Sequence, residues 1–219
     1  MRLELPVLRL FIATLLCLFD AGSIGQAQTA GGEKVRDVSP DGQFAMRISY
    51  DEELNKEMIG GNKAYAERIF PEAIKSVDLV ALPSKKIVTS LVEAGGDYIP
   101  EIKLIWSADS KWFAFYSSSP RVGDTSIYHR SGDEFVLAGD TDRDHLKIAS
   151  TKEFKGRDIH EEYVHPIRWT KPGVLVLEQF SIFRGGGDET FQFTVGIDPK
   201  SGKFHILSKK KVGSQKTSD

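Results

Sequence analysis

Short apolar runs separated by tight polar turns make up most of this chain. The segment 191–197 (FQFTVGI) alternates strictly between apolar and small or polar positions, which is typical of a strand with one buried face. The segments 113–116 (FAFY) and 174–177 (VLVL) are apolar at every position. Such runs indicate strands that are covered on both faces. The pattern therefore predicts β-sheets stacked in layers.

Three stretches share the order strand, polar turn, strand. Their turns are Ser39-Pro40-Asp41-Gly42, Ser107-Ala108-Asp109-Ser110-Lys111 and Thr170-Lys171-Pro172-Gly173. Pro presets φ, Asp or Ser bonds to the backbone two residues on, and Gly accepts a positive φ. A second hairpin follows each stretch, with its turn at 83–86, 131–133 or 198–203. The sequence thus predicts an all-β fold of three antiparallel, four-stranded, blade-like units.

Two insertions and a tail interrupt or follow these units. Residues 51–75 are rich in helix formers but are broken by Gly60-Gly61 and Pro71, so we expect one or two short helices there. Residues 139–163 are highly charged and predict a loop with a short helix. Residues 209–219 (KKKVGSQKTSD) predict a disordered polar tail. The β-repeat domain is expected to occupy residues 28–208.

The turns also carry a resemblance to a known family. Ser39-Pro40-Asp41-Gly42 and residues 106–115 (WSADSKWFAF) resemble the Trp-Ser-Pro-Asp-Gly-Lys signature of the WD40-like repeats in TolB-type periplasmic β-propellers. The turn at 198–203 is similar to the outer hairpin of such blades. The resemblance implies a secreted or periplasmic protein with a scaffolding or protein-binding role. The signature residues of the family are structural, so no catalytic residue carries over.

Three units are fewer than the 4–8 blades of a typical closed propeller. We therefore expect a partial propeller, and favour a monomeric open arc that the 51–75 insertion caps at one end. Closure by oligomerisation and collapse into a sandwich remain alternatives, so the oligomeric state is left open.

The N-terminal segment predicts the cellular location. Arg2 and Arg9 precede an apolar run at 10–19, and Gly25-Gln26-Ala27 follows it with small residues where a signal peptidase cleaves. Residues 1–27 are therefore expected to be a secretory signal peptide of a periplasmic or secreted protein. The run is about half the roughly 20 residues that span a bilayer, so no membrane span is expected after cleavage. The single cysteine, Cys17, lies within this segment.

The composition and net charge argue against nucleic acid as a partner. The chain is 40% hydrophobic and 27% charged, which provides enough apolar material for a core. Its net charge of −2 gives no electrostatic case for binding nucleic acid. With Cys17 removed, the mature chain has neither a cysteine nucleophile nor a thiolate metal site.

Two segments resemble metal sites but depart from them. His160 and His165 are five residues apart, whereas the zinc-protease motif needs four, and Pro166 disfavours a helix there. We interpret the segment as a charged helical turn. Asp140, Asp142 and Asp144 alternate like calcium ligands, but His145 and Thr151 stand where such a loop needs Gly and Glu, so a solvated acidic loop is favoured.

Two further patterns have structural readings that outweigh the functional ones. Residues 184–188 (RGGGD) precede a strand, whereas a phosphate loop precedes a helix, so they predict a hairpin tip. A carbohydrate platform could be formed by the three tryptophans, Trp106, Trp112 and Trp169. Their positions beside the recurring turns favour packing in the core instead.

The sequence therefore assigns no catalytic, cofactor-binding or metal-binding residue. It favours an exported, non-catalytic β-repeat protein that binds a protein or cell-envelope partner through its insertions and loop tips. The alternatives are a secreted hydrolase of glycans or peptides, or a binder of a small ligand or calcium.

Overall fold

The structure is a computed structural model that describes residues 32–50, 74–92, 101–138, 154, 156–198 and 200–215. Every regular element in these residues is a β-strand, which confirms the all-β prediction for this part of the chain. In chain order the strands are β1 (Glu33–Arg36), β2 (Phe44–Tyr50), β3 (Ile74–Ala81), β4 (Lys86–Val92), β5 (Ile102–Trp106), β6 (Trp112–Ser118), β7 (Val122–Ser131), β8 (Glu134–Ala138), β9 (Ile159–Lys171), β10 (Val174–Phe183), β11 (Asp188–Ile197) and β12 (Phe204–Gln215).

The strands form two sheets. One has four strands in the order β1-β2-β3-β4, all antiparallel. The other has eight strands and contains two antiparallel runs, β5 to β8 and β9 to β12. A short parallel pairing of Val122 with Glu162 and of Gly123 with Tyr163 joins β7 to β9. The three units predicted from the sequence are therefore not seen as three separate sheets.

Parts of the predicted insertions and tail lie outside the described residues. This applies to residues 51–73 of the first insertion, and to 139–153 and 155 of the second. Residues 159–163, which the sequence assigned to the second insertion, begin strand β9 instead. Residues 209–215, placed in a polar tail, form the second half of β12 and pair with β11.

Strand β6 lies between two hydrophobic cores. Trp112 and Ala114 belong to the core shared with β9, β10 and β11. Phe113 and Phe115 point the other way, into the core shared with the four-stranded sheet. The unbroken apolar sequence of β6 follows from this double burial, since successive side chains of a strand alternate between faces.

Two of the recurring turns have the same hydrogen bonds. The Ser39 hydroxyl donates to an Asp41 carboxylate oxygen at 2.6 Å and accepts from the Phe44 amide at 3.0 Å. The Ser107 hydroxyl makes the equivalent bonds at 2.6 Å to Asp109 and at 3.0 Å from Trp112. Asp109 is therefore a turn-forming residue, held in the same geometry as Asp41.

Two tryptophans make long-range hydrogen bonds through their indole nitrogens. Trp106 Nε1 donates to the Asp37 carbonyl at 2.7 Å and links the two sheets, and Trp169 Nε1 donates to the Ile105 carbonyl at 3.1 Å and links β9 to β5 within the eight-stranded sheet. Asp37 follows β1 directly, and Ile105 is the residue before the end of β5. Both indoles are partly buried and pack against the cores, so the expectation that they are packing residues agrees with their contacts.

The Ser107 turn gives the first testable prediction. Ser107 is fully buried, so Ser107→Ala leaves the Trp112 amide and the Asp109 carboxylate without their partner. We expect urea unfolding to show a loss of about 1–3 kcal/mol in the free energy of unfolding. Ser84→Ala is the matched control, because the Ser84 hydroxyl is exposed and its bonds are long, at 3.4 and 3.3 Å. Equal stability of the two variants would contradict this account of the turn.

Candidate functional site

A groove of 640 Å³ lies where the four-stranded sheet meets the β7–β8 hairpin. Its volume falls within the roughly 300–1,000 Å³ of ligand sites. One part of its lining is apolar and comes from the four-stranded sheet: Phe44, Ala81, Leu82, Ile87 and Val88. The other part is polar and comes from both sides: Gln43, Lys86, Arg130, Asp133 and Glu134.

The groove is built on an aromatic cluster that joins the two sheets. The Phe44 ring meets Phe135 edge-on, with centroids 5.1 Å apart, and stacks on Trp106 at 6.3 Å. Trp106 in turn contacts Phe113 at 5.1 Å. Because Phe44, Phe113 and Phe135 are buried, the wall behind the groove is a packed core with little freedom to move.

Arg130 is anchored at one end of the groove. Its guanidinium carbon lies 4.9 Å from the centre of the Phe44 ring. Its Nε donates to the Gly132 carbonyl at 3.0 Å, and its Nη1 lies 4.0 Å from an Asp41 carboxylate oxygen. An arginine stacked on an aromatic ring and held by its Nε presents its remaining donors in a fixed orientation. This arrangement suits recognition of a carboxylate or a carbonyl group.

The turn that carries Asp41 also supports this end of the groove. Burial acts to raise the pKa of Asp41, but hydrogen bonds from Ser39 and from the Gln43 amide outweigh it and hold the pKa below its usual value. Asp41 therefore stays ionised beside Arg130 at neutral pH. The ion pair is partly exposed and contributes little stability, so its main effect is to orient the guanidinium.

The rim of the groove carries charges of both signs. Lys86 lies at the start of β4, and Asp133 and Glu134 lie at the tip of the β7–β8 hairpin, all exposed. Strands β4 and β8 meet beside the groove, where the Thr89 hydroxyl of β4 donates to the Phe135 carbonyl of β8 at 3.3 Å. The site can therefore offer apolar contact and charge pairing to one ligand.

The zinc-like segment is part of a strand. His160 and His165 both lie in strand β9, so the prediction of a helical turn there is wrong. A register shift against β10 falls at His160, between the pairs Ile182–Glu161 and Phe183–Ile159. Within the described ranges no group of three or more His, Cys, Asp or Glu side chains is arranged to hold a metal ion.

His165 belongs instead to an aromatic cluster on β6, β9 and β10. Its ring lies 4.5 Å from that of Tyr116 and 6.2 Å from that of Tyr163, which stacks on Phe180 at 6.5 Å. Tyr116 is fully buried and its hydroxyl has no hydrogen-bond partner among the described residues. Burial raises the pKa of Tyr116 and lowers that of His165, since both side chains lose water around their charged forms.

The remaining sequence candidates have structural roles or lie outside the described residues. The glycine-rich segment is the tip of the β10–β11 hairpin, where Gly186 and Gly187 adopt positive φ angles of 85° and 81°. Trp112 lies in a core. Asp140, Asp142 and Asp144, the candidate calcium ligands, are not among the described residues.

Sequence reasoning did not identify Arg130 or Phe44 as neighbours. They are far apart in the chain and come from different sheets, so only the packing of the layers brings them together. A weak signal was available, because Phe44 follows the first Ser-x-Asp turn and Arg130 precedes the Ser131-Gly132 turn. Turn positions in adjacent layers of a stack tend to meet, but the sequence does not say which ones do.

The half-buried position of His165 predicts a pH dependence of stability. Burial holds its folded-state pKa below the ordinary value of 6.5, with Glu101 and Glu178 opposing the shift. Below pH 6.5 the His165 imidazole binds a proton more readily in the unfolded chain than in the folded chain. The free energy of unfolding therefore falls as the pH falls. We expect His165→Gln to flatten this dependence between pH 7.5 and 5.5, as measured by urea unfolding, and the His165 ring to titrate below pH 6.5 by NMR. A ring that titrates above pH 6.5 would contradict the prediction.

Comparisons with known proteins add no family to this description. Neither the models of known protein families nor the curated proteins give a match to the chain. In the described residues, no helix has the length and apolar character needed to cross a membrane. Function is therefore inferred from the contacts of the groove and of the sheets that form it.

Proposed function

We propose that this chain is an exported, non-catalytic β-repeat protein that binds a protein or cell-envelope partner through the groove between its two sheets. The observation that carries the proposal is the groove itself, where an apolar wall backed by packed aromatic rings meets an anchored arginine. A rigid apolar surface with a few oriented polar groups is the usual composition of a binding hot spot.

The use of the signature residues supports a binding role over a catalytic one. The turns contain side chains of the kind that act as nucleophiles and acids, namely Ser39, Ser107 and Asp109. These side chains form hydrogen bonds within their own turns. A catalytic serine needs a free, activated hydroxyl beside a base. These groups act instead as scaffold, in keeping with the role that the resemblance to WD40-like repeats implies.

We further propose that the eight-stranded sheet consists of two blade-like units, and that the chain is a WD40-like open arc of three units. The equivalent turns at Ser39 and Ser107 and the equivalent indole bonds of Trp106 and Trp169 support this reading. Val38 occupies the position that corresponds to Trp106, and it is 53% exposed. In a closed ring this position would face another unit, and an indole there could bond to it as Trp106 bonds to Asp37. An exposed valine therefore favours an arc that does not close head to tail.

A crosslinking pull-down with matched variants tests the groove. Ile87 lines the groove and is 51% exposed, so Ile87→Glu places a charge in the apolar wall without disturbing the core. We expect the variant to recover its partner from the envelope fraction at least about tenfold less well, because an unpaired carboxylate in an apolar contact costs more than about 1.4 kcal/mol. The partner is identified by mass spectrometry, and light scattering reports the oligomeric state.

Val38→Glu is the matched control for that experiment. Val38 is similarly exposed and lies outside the groove, so this variant is expected to recover the same partner as the wild-type protein. Equal recovery by both variants would remove the groove from the proposal, and recovery of no specific partner by the wild-type protein would count against a binding role.

Export is tested separately by fractionation of the source cells. We expect the protein in the periplasmic or extracellular fraction, with Gln28 as its N-terminal residue, because Gly25-Gln26-Ala27 fits the cleavage site. Replacing Ala27 with a bulky residue, as in Ala27→Tyr, is expected to slow processing and raise the mass of the product. Retention of the unprocessed wild-type chain in the cytoplasm would contradict the export proposal.

A further inference from the structure

Strand β12 is the outermost strand of the eight-stranded sheet. It runs from Phe204 to Gln215 and, within the described residues, pairs only with β11. Side chains 205–212 are all exposed, including Ile206 at 54% and Leu207 at 59%. Backbone bonds to β11 therefore hold this strand in place, with little burial of its own side chains.

Within the described part of the chain, no strand pairs with the outer edge of β12. In a regular strand, roughly half of the N–H and C=O groups point to each side. Those that face β11 are used by a ladder that extends from the pair Ile197–Phe204 to the pair Asp188–Gln215. The other side can accept an additional strand, as in β-augmentation by a peptide.

Strand β12 and the turn before it carry a concentrated positive charge. Segment 198–215 contains five lysines and one carboxylate, Asp198, so its formal charge is five minus one, or +4. The whole chain has a formal charge of −2, so the positive charge is localised at this edge. The lysines are Lys200, Lys203, Lys209, Lys210 and Lys211.

The strand lysines occupy both faces of β12. Lys209 and Lys211 lie over the buried Phe191 ring, with their nitrogen atoms 5.1 and 5.9 Å from its centre. Lys211 also pairs with Glu189 at 3.0 Å. Lys210 is paired with Gln192, which puts it on the opposite face. A strand added beside β12 would thus meet cationic side chains on both of its faces.

We propose that the open edge of β12 binds an extended, acidic segment of a partner protein, which adds to the sheet as a further strand. Charge complementarity favours this occupant over a second copy of the chain. Self-pairing of two β12 strands would bring their lysines together, and lysines on an edge strand oppose such association. Carboxylates on both faces of an acidic strand would instead lie beside the lysines, while Ile206, Leu207 and Val212 offer apolar contact to the residues between them.

Fluorescence polarisation with defined peptides tests the proposal on the full mature chain. The probe is a capped, fluorescein-labelled nonapeptide of three Glu-Glu-Val repeats, which places glutamates on both faces of an added strand. One comparison peptide has Gln in place of Glu, and a second keeps the glutamates but has Pro in place of two of the valines. The prolines preserve the charge and prevent strand pairing. Hydrogen exchange with and without the probe locates the contact.

We expect the Glu–Val peptide to bind at least about tenfold more tightly than either comparison peptide, and to slow amide exchange in β12. Lys210→Glu is expected to weaken binding about fivefold, and more strongly at low salt, because it reverses a charge on the docking strand. Lys200→Glu makes the same change in the exposed β11–β12 turn and is expected to alter the affinity less than about twofold.

Three results would overturn the proposal. Equal binding of the proline-containing peptide would show attraction to charge without strand addition. Equal binding of the Gln peptide would remove the requirement for acidic residues. Equal losses for Lys210→Glu and Lys200→Glu would place the contact away from β12. Because none of these residues lines the groove, failure here leaves the proposed function of the groove standing, and the converse also holds.

Discussion

The fold depends on the double burial of strand β6. Phe113 and Phe115 form one core with the four-stranded sheet, and Trp112 and Ala114 form another with the later strands of the eight-stranded sheet. A strand between two cores must be apolar on both faces, which leaves no polar face toward water. The layers on each side are therefore required to cover β6, and their spacing is set by the size of its side chains.

Directional hydrogen bonds then set the alignment of the strands and sheets. Apolar packing is not directional, whereas the Trp106 bond to Asp37 specifies one position between the two sheets, and the Trp169 bond to Ile105 specifies one within the eight-stranded sheet. Ser110 adds a second link between the sheets, because its hydroxyl accepts from the Asp41 amide at 3.0 Å. Ser110 holds a positive φ of 57°, where Gly42 occupies the equivalent turn position at 71°. The strain of a serine at this φ is offset by a bond that glycine could not make.

Local patterns predicted the features that depend on neighbouring residues. The Ser107-to-Trp112 turn and the hairpin tip at Gly186 and Gly187 follow from turn chemistry, and the all-β fold follows from alternation. The parallel pairing of Val122 with Glu162 was not predictable, because it joins strands separated by an insertion and involves only two residue pairs. The His160–His165 segment looked polar enough for a helical turn, but pairing with β10 determines its conformation. The groove was missed because the packing of two sheets creates it.

Strand β12 illustrates why composition alone predicted disorder for residues 209–215. Three consecutive lysines lower the tendency to bury a segment, but a strand needs little burial when a neighbour pairs with it along its length. Strand β11 does so, because Phe191 and Phe193 fix it to the core and its outer edge is free for β12. The ammonium groups of Lys209 and Lys211 lie over the Phe191 ring, and that of Lys209 also lies over Phe193, while both side chains stay exposed. The charge that suggested disorder is thus the feature that allows β12 to end the sheet without inviting another copy of itself.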